Sequence, residues 1–578
     1  MDNREIAERL HELADLYELD GAISYRVIAY REAARAIEQS PTSAAEASHA
    51  GSLTDLAGVG KTIAEKVAAL LADGEIPAAA KLKQRFPATL VEVTRLPGLG
   101  AKTARLIHEE LGIDDLDGLK QAAEQGRLRD VKGLGPKTET NVLEAIAARG
   151  EGLQDTERRV LLSVALPLAR ELADSLAALP ECEAVEIAGS ARRWAETCKD
   201  VDLIATATDP APLIEALAQH PRCAHIKGRG EAGIGIVTHD GVPVDLRVVD
   251  PALFGNLLQH FTGSKQHNVR LREDAVRRGL KVSEYGVTDI ETGETTRCAT
   301  EREVYERLGL AYVEPELREG RGELEAARED SLPELVGLQE LRGDLHCHTT
   351  LSDGRNTVAE MAAAARELGH EYLALTDHSA SHGFGNDVSA DQLRRRIEEI
   401  REFDPGDEGF ALLAGSEVNI GTDGTLDYDD DLLAALDWVV ASVHTAFQMG
   451  ASELTERIAT AMRHPQVDCI GHLTGRLIGR RPPYAIGVEH LVEVAAETGT
   501  MFEINGNPNR RDLSEHHARL AADAGVPIVC TTDAHGTDTL TNTRYAVATA
   551  RRAWLRAGQV ANTRSWKQLA AMRKPTRG

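Results

Sequence analysis

The sequence is poor in cysteine, in aromatic side chains and in positive charge. Its cysteines, Cys182, Cys198, Cys223, Cys298, Cys347, Cys469 and Cys530, form no CxxC pair. That excludes a zinc ribbon and a disulfide framework and leaves reduced, structural thiols. Aromatics supply only 4% of the chain, yet hydrophobic residues make up 42%, enough for aliphatic cores and too much for a disordered or collagen-like chain. No apolar run approaches the roughly 18 to 20 residues of a membrane span, and the charged start, Met1 to Leu10, does not read as a signal peptide. The expected address is the cytoplasm, with no membrane partner. Lys and Arg total 65 against 92 Asp and Glu, a net charge of −27, which excludes nucleic-acid binding through a global positive field. Any such site has to be local. The acid excess also suits divalent cations, as it suits a solvated surface. At roughly 100 to 200 residues per domain, 578 residues make about three to five units.

What the chain does have begins with a repeat. LAGVGKTIAEKV from Leu56, LPGLGAKTARLI from Leu96 and VKGLGPKTETNV from Val131 each read apolar, then Gly-hydrophobic-Gly, then a helix with Lys in its first turn. Paired glycines let the backbone approach a phosphate while helix N-terminal N–H groups point at it, a design that suits a DNA backbone without reading sequence. A nucleotide P-loop is excluded, because its pattern requires Gly where Asp55 stands. Any one copy alone is equally well a structural turn; three copies favour phosphate. They resemble helix-hairpin-helix motifs, with Gly58/Gly60, Gly98/Gly100 and Gly133/Gly135 at the DNA-binding hairpins.

From Ala184 to Ala205 the chain reads AVEIAGSARRWAETCKDVDLIA. The alternation puts Asp200 and Asp202 on one face of a strand, where two carboxylates hold a divalent ion. Asp245, in the β-branched run VPVDLRVV, completes the cluster if its strand is a neighbour. Such a trio, with two Mg²⁺ ions, activates a 3′-hydroxyl and stabilises leaving pyrophosphate. Upstream, Gly189 and Ser190 offer close backbone approach and a hydroxyl, and Arg193 pairs with phosphate. Between Gly263 and Lys281 six Lys and Arg face two acids, a local basic patch whose plain alternative is a solvated helix face.

These residues resemble the X-family DNA polymerases, from the N-terminus to about residue 317. The resemblance implies polymerase metal ligands at Asp200, Asp202 and Asp245, and nucleotide contacts at Gly189, Ser190, Arg193, Phe261, Gly263, Asn268 and Arg272. It also implies a DNA-contacting aromatic at Tyr30 and a Schiff-base lysine at Lys66, for which a plain phosphate contact is the alternative. His260 stands where the family has Tyr, and Trp194 and Lys199 stand where it commonly has Gly.

Between Glu314 and Glu340 nine acids accompany three arginines, which reads as a connector. Beyond it, seven short apolar strands end at GDLHCH, YLALTDH, LLAGSEV, WVVASVH, VDCIGH, MFEING and PIVCTTDAH, with helical stretches between them. A distorted TIM-like barrel follows, with its chemistry at the strand ends. His346, His348, Asp353, His378, Glu417, His444, His472, Asp533 and His535 are too many for one ion and suit three, with Glu417 able to bridge. Cys347 must point away from the histidines flanking it. Arg476 and Arg510 are candidate phosphate clamps.

This second pattern resembles the polymerase and histidinol phosphatase (PHP) domain. It implies phosphoester hydrolysis with up to three Mn²⁺ or Zn²⁺ (or Fe) ions, and in polymerases carrying the domain it implies 3′-5′ exonuclease and 3′-end processing. The expected chain is multidomain. Residues 1–90 form a helical lyase-like domain, 91–152 a fingers-like region with two further hairpins, and 153–256 an α+β nucleotidyltransferase palm. Residues 257–317 form the thumb, 318–340 an acidic linker and 341–578 a (β/α)7 PHP barrel. The expected function is short gap filling in DNA repair, by a monomer using Mg²⁺ or Mn²⁺, dNTPs and gapped or primer-template DNA. Two alternatives stand: a phosphoesterase of small phosphate esters with a vestigial polymerase half, and a DNA-binding repair scaffold.

Overall fold

A computed structural model describes the chain except residues 2, 23, 39, 41–42, 57, 95–98, 100, 132–133, 137, 141, 144–145, 147–158, 382–385, 404–408 and 575–578. It divides into two compact units. The first comprises residues 1–160, 164–187 and 198–251, the second 161–163, 188–197 and 252–578. No helix among the described residues is long and apolar enough to cross a membrane.

The first unit opens with helices α1 (Asn3–Leu19) and α2 (Ser24–Glu38). Ile6, Leu10, Leu13 and Tyr17 recur at helical spacing on α1 and are buried, so one stripe drives the packing. Helix α3 (Lys61–Asp73) starts from Gly60, one residue after the left-handed turn at Gly58 (φ +90°) is closed by Val59. A side chain at Gly58 would be strained there, which explains its first glycine. Gly135 precedes another helical segment; Gly98, Gly100 and Gly133 lie outside the described residues.

The same unit holds a five-stranded sheet of β1 (Ala184–Ile187), β2 (Val201–Thr206), β3 (Cys223–Gly230), β4 (Gly233–Thr238) and β5 (Pro243–Val249). Its order is β1-β2-β5-β4-β3, with β2 and β5 parallel and the other pairs antiparallel. The buried Val201, Leu203, Val244, Leu246 and Val248 hold these central strands in register.

The second unit contains helices α4 (Phe254–Thr262) and α5 (Lys265–Arg277), a three-stranded sheet of β6 (Leu280–Ser283), β7 (Gly286–Asp289) and β8 (Thr295–Thr296), and α6 (Glu301–Arg307). Ser264 caps α5, and a Thr300/Glu303 capping box starts α6. The acidic stretch expected as a connector is instead packed: α7 (Glu323–Arg328) buries Leu324 and Ala327 in one core with Leu271, Val304 and Leu317. Its charges are consumed locally. Arg318 is fully buried on Glu301 at 2.5 Å, and Glu323 accepts from His267 at 2.7 Å.

Seven parallel strands follow, in chain order around the sheet: β9 (Gly343–Cys347), β10 (Tyr372–Leu375), β11 (Ala411–Asn419), β12 (Trp438–Ser442), β13 (Cys469–Ile470), β14 (Met501–Asn505) and β15 (Ile528–Thr531). The His348 N–H donates to the Ala534 carbonyl at 2.8 Å, joining the first strand's end to the segment after the last. Most strand residues are buried on both faces, as parallel sheets under helices require. Helices α8 (Val358–Glu367), α9 (Glu515–Asp523) and α10 (Thr543–Arg552) are among those outside the barrel.

Candidate active sites

In the first unit, the parallel pairing of β2 with β5 sets Asp202 directly opposite Asp245. Asp200 lies one residue before β2. Burial, and then the charge of Asp245, raise its pKa, so these acids share one local field. The three predicted carboxylates therefore converge. The missing side chain of Gly235 on β4 makes the room: a Cβ there would sit 2.9 Å from Asp245 Oδ1. Lys227, Arg229 and Arg247 line the cavity beside Asp245. They escaped the sequence reading because they are spread over β3 and β5, two strands that flank β4 rather than pair with each other. In the helical part, Lys66 is half-buried on α3 and Lys61 is exposed in its first turn. Tyr30 does not match the expectation of a DNA-contacting aromatic. It is 4% exposed, with its ring 5.3 Å from that of Tyr17, and serves the core.

The GSARR loop lies in the second unit. Gly189–Arg192 forms one helical turn. Arg192 pairs with Glu301 at 2.7 Å and donates to Thr262 Oγ1 at 2.8 Å. Arg193 pairs with Glu319 at 3.1 Å and donates to the Thr262 carbonyl. Gly263 passes close to it: a Cβ would come 3.3 Å from Arg193 Nη1. Asn268 is fixed between the His260 carbonyl (2.7 Å) and Gln259 (2.9 Å), and Arg272 reaches His260 Nδ1 at 3.0 Å. Phe261 packs against His260 with ring centres 5.4 Å apart. Trp194 adopts φ +54°, a conformation natural to the Gly it replaces. Its ring lies 6.1 Å from that of Tyr545, and its carbonyl accepts from Arg511 at 2.9 Å.

The barrel brings all nine predicted ligands together at the ends of its strands. Eight of them form three overlapping groups whose ligating atoms lie within 4.8 Å of one another: His348, Asp353, His378 and His535; His346, His348 and Asp533; and His378, Glu417 and His444; the ninth, His472, joins them through Glu417. Glu417 is the hub. Its oxygens lie 2.9 Å from His378, 3.2 Å from His444, 2.8 Å from His472 and 3.4 Å from His346. Cys347 turns its thiol away, toward the Ala374 carbonyl.

Burial opposes ionisation of Glu417, yet His444, His346 and His378 hold its carboxyl well below the usual range. Burial likewise opposes ionisation of Asp533, and His346 and His348 reverse it. Burial works against charging His346 too, while Glu503, Glu417 and Asp533 push its pKa well above the ordinary value. His346 Nε2, His348 Nδ1, His472 Nδ1 and Glu417 Oε2 are buried without a hydrogen-bond partner among the described residues. Buried ring nitrogens and a carboxylate oxygen left without hydrogen bonds among ionised carboxylates fit cations, which replace the protons such a site otherwise needs.

Glu503, in the middle of β14, was missed by the sequence reading. It is fully buried, takes His346 Nδ1 at 2.6 Å and the His472 N–H at 2.6 Å, and accepts from Thr531. Its only signal was a charged residue inside an apolar strand. The two candidate clamps separate. Arg510 lies 3.4 Å from Asp533, whereas Arg476 pairs with Glu196 and donates to the Arg511 carbonyl.

Fold and sites together define a class: a polymerase β-type nucleotidyl-transfer protein joined to a histidine-rich metal barrel. Residues 1–76 match the helix-hairpin-helix domain family, 90–148 the SAM-like helix-hairpin-helix tandem, 257–319 the DNA polymerase beta thumb and 344–507 the PHP domain. The chain is 37% identical over 576 residues, 99% of its length and 100% of the relative's, to the DNA polymerase/3′-5′ exonuclease PolX of Bacillus subtilis (strain 168). It belongs to that family. The barrel third also resembles shorter proteins. One is a probable phosphatase of Thermoanaerobacter sp. (strain X514), 33% identical over 211 residues (33% of this chain, 78% of the relative). Another is a probable phosphatase of Syntrophotalea carbinolica, 28% identical over 229 residues (38% and 90%).

Proposed function

We propose that this enzyme extends 3′ ends in short DNA gaps at Asp200, Asp202 and Asp245, and removes 3′-terminal nucleotides at the barrel mouth. The observation that carries the reading is the presence, on one chain alike over its whole length to a polymerase/exonuclease, of two separate ligand clusters of different chemistry. The first is all-carboxylate and suits Mg²⁺; the second, mixing imidazoles and carboxylates, suits up to three Mn²⁺ or Zn²⁺ ions. Bound ions supply water and hydroxyl activation and charge neutralisation at phosphate.

The protein's own groups do the rest. Asp202 and Asp245 are set opposite each other by the strand register, so the acids stand preorganised. Gly189, Ser190 and Arg193 receive the nucleotide's triphosphate, with Phe261, Gly263, Asn268 and Arg272 shaping the pocket behind it. The α3 N-terminus with Lys61, and the exposed Lys265 and Arg270 on α5, carry DNA phosphate contacts that the net charge forbids elsewhere. In the barrel, Glu503 orients His346, Glu417 stays ionised for bridging, and Arg510 lies beside Asp533 to meet substrate phosphate.

Extension of a primer across a one-nucleotide gap by Asp245→Asn tests the first site. A loss of about 100-fold or more in kcat is expected; undiminished extension overturns it. A second reading, hydrolysis of small phosphate esters by the barrel, draws on the likeness to the probable phosphatases. Rates on a 3′-mismatched primer and on p-nitrophenyl phosphate separate the two.

A further inference from the structure

The guanidinium assigned above to the triphosphate already has an anion on it. Glu319 Oε1 lies 3.1 Å from Arg193 Nε, and the two side chains are only 19% and 13% exposed. That oxygen is shared with Arg552 at the end of α10, whose Nη1 lies 2.9 Å away. Arg552 in turn donates to the Arg193 carbonyl at 2.8 Å and to Glu515 at 3.0 Å. One carboxylate is thus held between an arginine of the GSARR loop and an arginine of a barrel helix.

A carboxylate offers a guanidinium the same acceptor geometry as a phosphate. The half-buried setting makes this pair stronger than an exposed one. We propose that Glu319 is a built-in competitor of the incoming triphosphate for Arg193, anchored by Arg552, and that it sets the enzyme's affinity for dNTPs. Release is feasible because Glu319 keeps Arg552 as a partner when Arg193 turns to the nucleotide, so no buried charge is orphaned. The absent side chain of Gly263 leaves Arg193 room to turn, since even a Cβ would come within 3.3 Å of it. The inference rests on the assignment of Arg193 to the triphosphate.

The test uses the full chain on a one-nucleotide gap, with dNTP binding read on a dideoxy-terminated primer and turnover on an extendable one. Glu319→Gln keeps the shape and the hydrogen bond to Arg552 but removes the charge. It is expected to lower both KM and Kd for dNTP by about fivefold, with kcat and Mn²⁺-dependent hydrolysis at the barrel unchanged. Glu319→Ala provides the same readout should the amide variant fold poorly. An unchanged or raised dNTP affinity in the folded variants overturns the proposal. The underlying assignment fails separately: if Arg193→Lys leaves dNTP affinity at the wild-type value, Arg193 is not a triphosphate contact and the competition falls with it.

Discussion

Glu503 illustrates what one side chain contributes to a site it does not itself form. Its carboxylate takes the outward nitrogen of His346 and the backbone of His472, so it fixes both a ring orientation and a strand end. With Nδ1 occupied, Nε2 is left facing the cluster, 3.4 Å from Glu417. Glu503→Gln retains the shape and loses the charge. We expect Mn²⁺ affinity at the barrel to fall about 10- to 100-fold by calorimetric titration, with hydrolysis restored at saturating metal and primer extension unaffected. Unaltered binding contradicts the role. The nine candidate ligands were legible because each stands at or shortly after the polar end of an apolar strand in a short motif such as HxH, SDG or DAH. Glu503 was not, because its partners His346 and Thr531 are brought to it by barrel closure alone. The partner of Arg476 was hidden for the same reason: Glu196 lies 280 residues away.

Among the elements, the acidic stretch after Glu314 departs most from its reading. Its composition suggested a solvated connector, and the fold instead packs Leu317, Leu324 and Ala327 into one core with Leu271 of α5 and Val304 of α6. A run of acids is indistinguishable from a soluble linker until the arginines and histidines that meet it are placed. Here those are Arg318 and His267, both fully buried. Burial is the largest influence on His267 and lowers its pKa, opposed by Glu323 and reinforced by Arg318. The ring is therefore neutral, donating from Nδ1 to the ionised Glu323, whose own pKa is lowered despite burial. Glu323 raises the ring's pKa, Arg318 and Arg193 lower it, and Tyr305 bonds the other nitrogen at 2.9 Å. With a folded pKa below the ordinary 6.5, the folded state binds fewer protons than the unfolded one. Its stability is intact above about pH 6.5 and declines as pH falls further. Thermal melts between pH 7.5 and 5.5 are expected to show a drop that His267→Asn reduces; a pH-independent difference between the two proteins contradicts this account. The first hairpin's Gly58 and the central strands β2 and β5, by contrast, were readable, since a left-handed turn and a two-residue period leave local marks.

At the scale of the whole molecule, the chain couples an all-carboxylate centre on a mixed sheet to a histidine-rich centre on a parallel barrel. The chemistry of each ligand set follows from the strands that carry it: alternation aligns acids on β2, and strand ends gather imidazoles in the barrel. On the proposed function, a strongly acidic protein would reach DNA through local means, the helix start at Lys61 and the basic face of α5. The central claim is that two independent hydrolytic and synthetic centres share this chain. It is tested most directly on a single substrate, a one-nucleotide gap with a 3′-mismatched primer, followed nucleotide by nucleotide. Asp200→Asn with Asp202→Asn is expected to abolish extension and leave trimming intact, while His346→Ala with His348→Ala does the reverse. Loss of both activities from either pair, or survival of the activity each pair should remove, contradicts it.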